Sequence, residues 1–137
     1  MCDRIREGDN IVLINFSNHP YEKWSAKQKE AARVYGDTVD MPFFAVSTRA
    51  TEEEIAGMAG EAVREIENRI ASASDPIDAV MVQGEFTLTY AVVTLLLNHH
   101  IRVISACSER RVRETVDREG NPVKQAYFNF DRFREYR

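Results

Sequence analysis

The sequence predicts an α/β fold, a Rossmann-like three-layer sandwich with a mainly parallel sheet and a C-terminal β-hairpin. Three observations lead there. Short β-branched apolar runs alternate with helical stretches, the signature of crossover units. The strands are apolar throughout rather than alternating, as expected for strands covered on both faces. The C-terminal part then switches to strict alternation around a turn.

The first strand is Ile11 to Phe16 (IVLINF), and Pro20 keeps Ser17 to His19 from extending it. A helix follows from the N-cap Ser25, with Gln28 at capping-box spacing, and is expected to end near Gly36. Thr38 to Val46 reads as a second strand, placed at an edge because Pro42 has no N–H to donate. Thr51 and Glu54 form a capping box, and Ile55, Met58, Ala59, Ala62, Val63, Ile66 and Ile70 repeat at helical spacing. Ser74-Asp75-Pro76 stops this helix, and Asp78 to Val82 is the third strand. Thr87 to Asn98 reads as a buried helix and Ile101 to Cys107 as the fourth strand. Arg111 to Val116 and Val123 to Phe130 flank an Asp117-to-Pro122 turn, the expected hairpin. The aromatic and basic residues Arg132, Phe133, Arg134, Tyr136 and Arg137 suit either a sheet edge or another subunit.

One domain of 137 residues is expected, with residues 1–9 as an N-terminal extension and residues 109–132 as the appended hairpin. Hydrophobic residues make up 44% and charged residues 29%, a globular balance. A net charge of −4 argues against long duplex nucleic acid as a partner. It leaves room for a small anion held by backbone N–H groups and a few arginines. Cys2 and Cys107 fit no metal spacing and are read as reduced thiols. The first ten residues hold no apolar signal region, and Ala91 to Leu97 is too short to span a bilayer, so a cytoplasmic location is expected. No G-x-G-x-x-G, Walker A or metal-ligand spacing occurs, so no cofactor and no metal are expected.

In parallel sheets ligands bind beyond the carboxyl ends of the strands. Three segments are expected there: Asn15 to His19, Gln83 to Thr87, and Ser108 to Arg111. Gly84 permits a sharp turn and a close backbone approach. Thr87 is expected to cap the helix, leaving N–H groups for a phosphate. Glu85 at the pocket mouth suits a ribose hydroxyl or general-base work, and His19 suits phosphate binding or proton transfer. Asn15, Ser17, Asn18 and Gln83 are candidate hydrogen-bonding residues. Ser108, Arg110 and Arg111 form a polar, cationic set, whose guanidinium forks match phosphate oxygens. His99 and His100 close a helix and are read as structural.

With NFSNHP after the first strand, VQGEFT after the third, SER after the fourth and FDRFREY at the C-terminus, the chain resembles small CRISPR-associated Rossmann-like proteins. These include CARF-type proteins and ring-nuclease candidates. The resemblance implies a homodimer that binds a cyclic oligoadenylate and, in ring nucleases, metal-independent cleavage by a ribose 2′-hydroxyl. It implies Arg110 or Arg111 as the charge-stabilising group and His19 or Glu85 as the proton-transfer group, with Arg111 the leading cation. Two alternatives stand beside it: a non-catalytic nucleotide sensor or sponge, and a deoxyribosyltransferase-like enzyme with Glu85 as nucleophile.

Overall fold

The structure, a computed structural model, describes residues 10–137. The N-terminal extension over residues 1–9, with Cys2, lies outside the described residues. The chain order is β1 (Val12–Ser17), a 3-10 turn (Tyr21–Lys23), α1 (Ala26–Ala32), a second 3-10 turn (Arg33–Tyr35) and β2 (Asp37–Pro42). It continues through α2 (Glu52–Ser72), β3 (Ile77–Gln83), α3 (Phe86–Asn98), β4 (Val103–Val116) and β5 (Pro122–Glu135).

The five strands form one sheet in the order β2-β1-β3-β4-β5. The first four are parallel, and β5 returns antiparallel along β4. This is an α/β sheet consistent with a Rossmann-like layout. After β2 the chain crosses to the other side of β1, so the order reverses between β1 and β3, where such sheets open a crevice.

Alternate residues of the central strands feed two core clusters, because strand side chains point to opposite faces. Ile14, Phe16, Val80, Val82 and Val103 pack with Ala59, Ile66, Leu88, Val92 and Leu96 of α2 and α3. Leu13, Met81 and Ile104 pack with Trp24, Ala32, Phe130 and Phe133. The first cluster fixes the long helices, whereas the second is held by one short helix and aromatic rings.

Local signals act as expected at several helix ends. The Ser25 Oγ accepts the Gln28 amide at 3.2 Å, and the Thr51 Oγ1 accepts the Glu54 amide at 3.1 Å. The first helix turns 3-10 before Gly36, whose φ of +103° and contact with the Ile11 carbonyl leave no space for a Cβ. β2 is an edge strand but stops at Pro42 rather than Val46, since β1 ends opposite it at Ser17. Phe43, Phe44 and Val46 leave the sheet and pack onto the core as a loop. His99 caps α3, and its Nδ1 contacts the Glu67 carboxylate on α2, in line with a structural role.

The largest difference from the sequence reading concerns the C-terminal third. β4 does not end at Cys107 but runs to Val116, so Ser108 to Arg111 are strand residues rather than a loop. The hairpin is therefore the continuation of the fourth strand. Its return strand reaches Glu135 and forms the sheet edge, settling Phe133 and its neighbours against the sheet. At β5 the register shifts: Cys107 faces Arg132 and Ser108 faces Phe130, which leaves Asp131 as an extra residue. That bulge brings Phe130 and Phe133, three residues apart, onto the same face and into one cluster. At the other end of the pair, Arg102 bridges Asp78 and Glu135 and stacks over Tyr35.

Candidate functional site

β3 and β4 pair directly only through Val80 with Val103 and Met81 with Ile104. Beyond that point β4 follows β5 away from the sheet, and side chains take over the freed backbone groups. The Gln83 Oε1 accepts the Ala106 amide at 3.1 Å, and the Tyr136 hydroxyl donates to the Val82 carbonyl at 3.0 Å. Without these substitutes the split would leave polar backbone groups unpaired, at about 1–3 kcal/mol each. The divergence opens a cavity of about 430 Å³ at the carboxyl end of the parallel strands.

His19 and Lys23, from the segment after β1, stand on this cavity with Trp24. Gln83 contributes from β3 and Ser108 from β4, while Phe128 and Phe130 contribute from β5. Three predicted residues, one from each expected segment, are thus brought together: His19, Gln83 and Ser108. Trp24, Lys23, Ser25, Gln28, Phe128 and Phe130 were missed. The chain has one tryptophan, and its place just after Pro20 and before a helix cap was the available signal for Trp24. Phe128 and Phe130 had no such signal, since their position depends on the long β4–β5 pairing.

The turn carrying His19 is built by a buried polar knot. The Asn15 Nδ2 donates to the His19 carbonyl and to Asp40 Oδ1, both at 2.9 Å. The Ser17 hydroxyl donates to Asn15 Oδ1 at 2.6 Å, and the Trp24 indole donates to the same His19 carbonyl at 3.0 Å. Asp40 also accepts the Tyr21 amide. Asn15 and Ser17 are buried and spend their hydrogen bonds shaping this turn, so their role here is to position His19 and Trp24. A smaller hollow of about 290 Å³ beside them is lined by Asn18, Pro20, Asp40 and Phe43.

The strand-to-helix turn after β3 departs from expectation at Glu85, Thr87 and Gly84. Glu85, not Thr87, is the N-cap of α3: its carboxylate accepts the Thr87 amide at 3.0 Å and the Leu88 amide at 2.8 Å. The Thr87 hydroxyl donates to it as well. A carboxylate is the better cap because it carries negative charge to the positive helix end. The N–H groups expected to cradle a phosphate are therefore occupied from within the chain. These bonds, led by that from Leu88, hold the Glu85 carboxyl below its ordinary range, opposite to the direction a general base near neutrality needs. Glu85 also does not line the cavity. The close approach at Gly84 is made by the Phe43 ring, 2.6 Å from where a Cβ would stand, and not by a ligand.

Arg110 and Arg111 diverge because strand neighbours face opposite ways. Arg111 lies on the ribbon face away from Ser108 and Phe128 and is paired with Glu109 at 3.0 Å. Arg110 is on the cavity side, opposite Phe128, beyond the mouth. Among the described residues, no three His, Cys, Asp or Glu side chains stand together as a metal-ligand group.

Together these features describe an α/β protein with an open polar and aromatic cleft between two diverging strands. Residues 11–134 match the family described as Uncharacterized protein MJ1673 family. The chain belongs to this family, which spans every element of the sheet. No curated protein and no solved structure matches the chain.

Proposed function

We propose that this protein is a CARF-type, CRISPR-associated nucleotide-binding protein that holds a cyclic oligoadenylate, or a related small nucleotide, in the larger cavity. The observation that carries this reading is the convergence of His19, Gln83 and Ser108 on one cleft, with Lys23, Trp24 and Phe128 beside them. His19 and Lys23 suit phosphate oxygens, the exposed Phe128 ring suits a stacked base, and Gln83 and Ser108 suit base-edge or ribose contacts. The volume falls within the roughly 300–1,000 Å³ of small-ligand sites, so a ring of several nucleotides extends past the mouth of one chain. The two clusters on opposite sheet faces support a three-layer sandwich. A cytoplasmic location and a homodimer complete the reading; among the described residues no helix is long and apolar enough to cross a membrane.

Binding without cleavage is the version the geometry favours. Of the three residues expected to do chemistry, only His19 stands on the cavity. Glu85 is tied into a helix cap and Arg111 into an ion pair on the far face of the ribbon. A ring-nuclease reading rests on His19 as proton carrier with Lys23 for the phosphorane charge. The same cap engages the Glu85 carboxylate that a deoxyribosyltransferase would use as nucleophile, which weighs against that reading.

The test is incubation with cyclic tri-, tetra- and hexa-adenylate in EDTA, read by thermal shift and by chromatography of the products. A shift with intact ligand is the expected result. Linear products ending in a cyclic phosphate replace it with the ring-nuclease reading, and release of free base with the transferase one. Neither shift nor product for any ring overturns the messenger assignment.

A further inference from the structure

Beyond Cys107, β4 and β5 leave the body of the sheet as a two-stranded ribbon, Ser108 to Val116 against Pro122 to Phe130. At about 3.3 Å per residue it projects roughly 30 Å. Residues directly opposite share a face, so one face carries Arg110 with Phe128, Val112 with Ala126, Glu114 with Lys124, and Val116 with Pro122. The other face is polar, with Arg111 on Glu109 and Arg113 over the Tyr127 ring. On the first face Val112 is 53% and Phe128 73% exposed. An isolated ribbon with one uncovered apolar face is marginal in water.

We propose that this face is a two-fold interface between two copies of the chain, in which each ribbon tip stands at the mouth of the cavity of the other copy. The charges select a second copy as the occupant. A two-fold axis crossing the ribbon at Val112 and Ala126 stacks the ribbons antiparallel, since an isologous contact pairs each position with its mirror about the axis. Arg110 then meets Glu114 of the second copy, and Glu114 meets its Arg110. Among the described residues, Arg110 makes no salt bridge within the chain, and Glu114, although opposite Lys124 in register, is not within salt-bridge distance of it. The same operation sets the Lys124 stem over the second copy's Phe128. Extended past Val116, it carries the Asp117–Asn121 turn, with Arg118, to the level of the second copy's Ala106, which borders the cavity. The arrangement packs against the outer side of Phe128, whose other side faces the cavity and stays free for a base. A stable pair buries roughly 1,200–2,000 Å², so the contact includes the ribbon tip against the second copy's body as well as the stripe.

Sedimentation equilibrium of the full chain without nucleotide tests this independently of any ligand. The expected result is a dimer in the wild type and a monomer in Val112→Asp, with unchanged circular dichroism because the site is exposed. Arg110→Glu and Glu114→Arg should each weaken association at least about tenfold, as opposed like charges do. The double reversal should recover most of that loss. Within each chain it sets a positive charge at position 114 beside Lys124, an unfavourable pair, so recovery reports only the contact between copies. A monomeric wild type, a dimer indifferent to Val112→Asp, or a double reversal as weak as the single variants overturns the proposal.

Discussion

The carboxylate of Glu85 accepts the backbone amide of Leu88 at 2.8 Å, closing the first turn of α3 with a residue from the loop before it. This bond sets the pH behaviour of the turn. The folded-state value of Glu85 lies below its unfolded one, so its contribution is present above the ordinary carboxylate range and is lost as pH falls through the lowered value. Glu85→Ala should therefore melt lower than the wild type at neutral pH, with the gap closing in strong acid. Thermal unfolding across pH checks it, and the variant should keep the nucleotide affinity of the wild type.

Gly84 lies under the Phe43 ring, which stacks on Phe16 with centroids 4.8 Å apart. Displacing the ring disturbs its contact with Phe16. Gly84→Ala should cost about 1–3 kcal/mol in urea unfolding, the range for overpacking a tight contact. Phe43→Leu in the same chain should recover part of it.

Asn15 joins the ends of β1 and β2 to the turn that carries His19. Asn15→Ala removes the partner of the buried Ser17 hydroxyl and the side-chain links from β1 to the His19 carbonyl and Asp40. The expected loss is about 1–3 kcal/mol. Because the knot aims the turn, nucleotide affinity should fall as well, unlike in Gly84→Ala; calorimetric titration of the two variants separates the effects.

Trp24 is the one tryptophan of the chain, nearly buried and on the cavity wall. Its intrinsic fluorescence should change on titration with the nucleotide that binds there. Trp24→Phe should abolish the signal while calorimetry still detects binding. Binding seen calorimetrically with silent wild-type fluorescence would place the ligand elsewhere.

The residues legible in the sequence are those whose signal is local. Ser25 and Thr51 cap their helices because a side-chain oxygen three residues before a free amide is fixed by the chain itself. The apolar period of Ile55 to Ile66 and the strands around Ile14 and Val80 needed no distant partner to be read. Thr87 misled because a hydroxyl residue at a helix start is a common cap, and only the folded geometry showed that α3 begins at Phe86 and that the Glu85 carboxylate reaches the Thr87 and Leu88 amides. Ser108 to Arg111 misled because a strand that outlasts its parallel neighbour has no local mark; its length comes from β5.

The alternation of strands and helices, the Ser25 and Thr51 caps, the hairpin turn and the ends of β1 and β3 at the carboxyl edge of the sheet are written locally in the chain. They follow from periodicity and from the short-range chemistry of hydrogen-bonding side chains. Three features arose only on assembly: the register of β4 against β5, the bulge at Asp131 that turns Phe130 and Phe133 to one face, and the split between Ile104 and Gln83 that opens the cavity. Strand pairing joins residues far apart along the chain, and a shift of one position reverses which side chains face the core, so no local pattern encodes it.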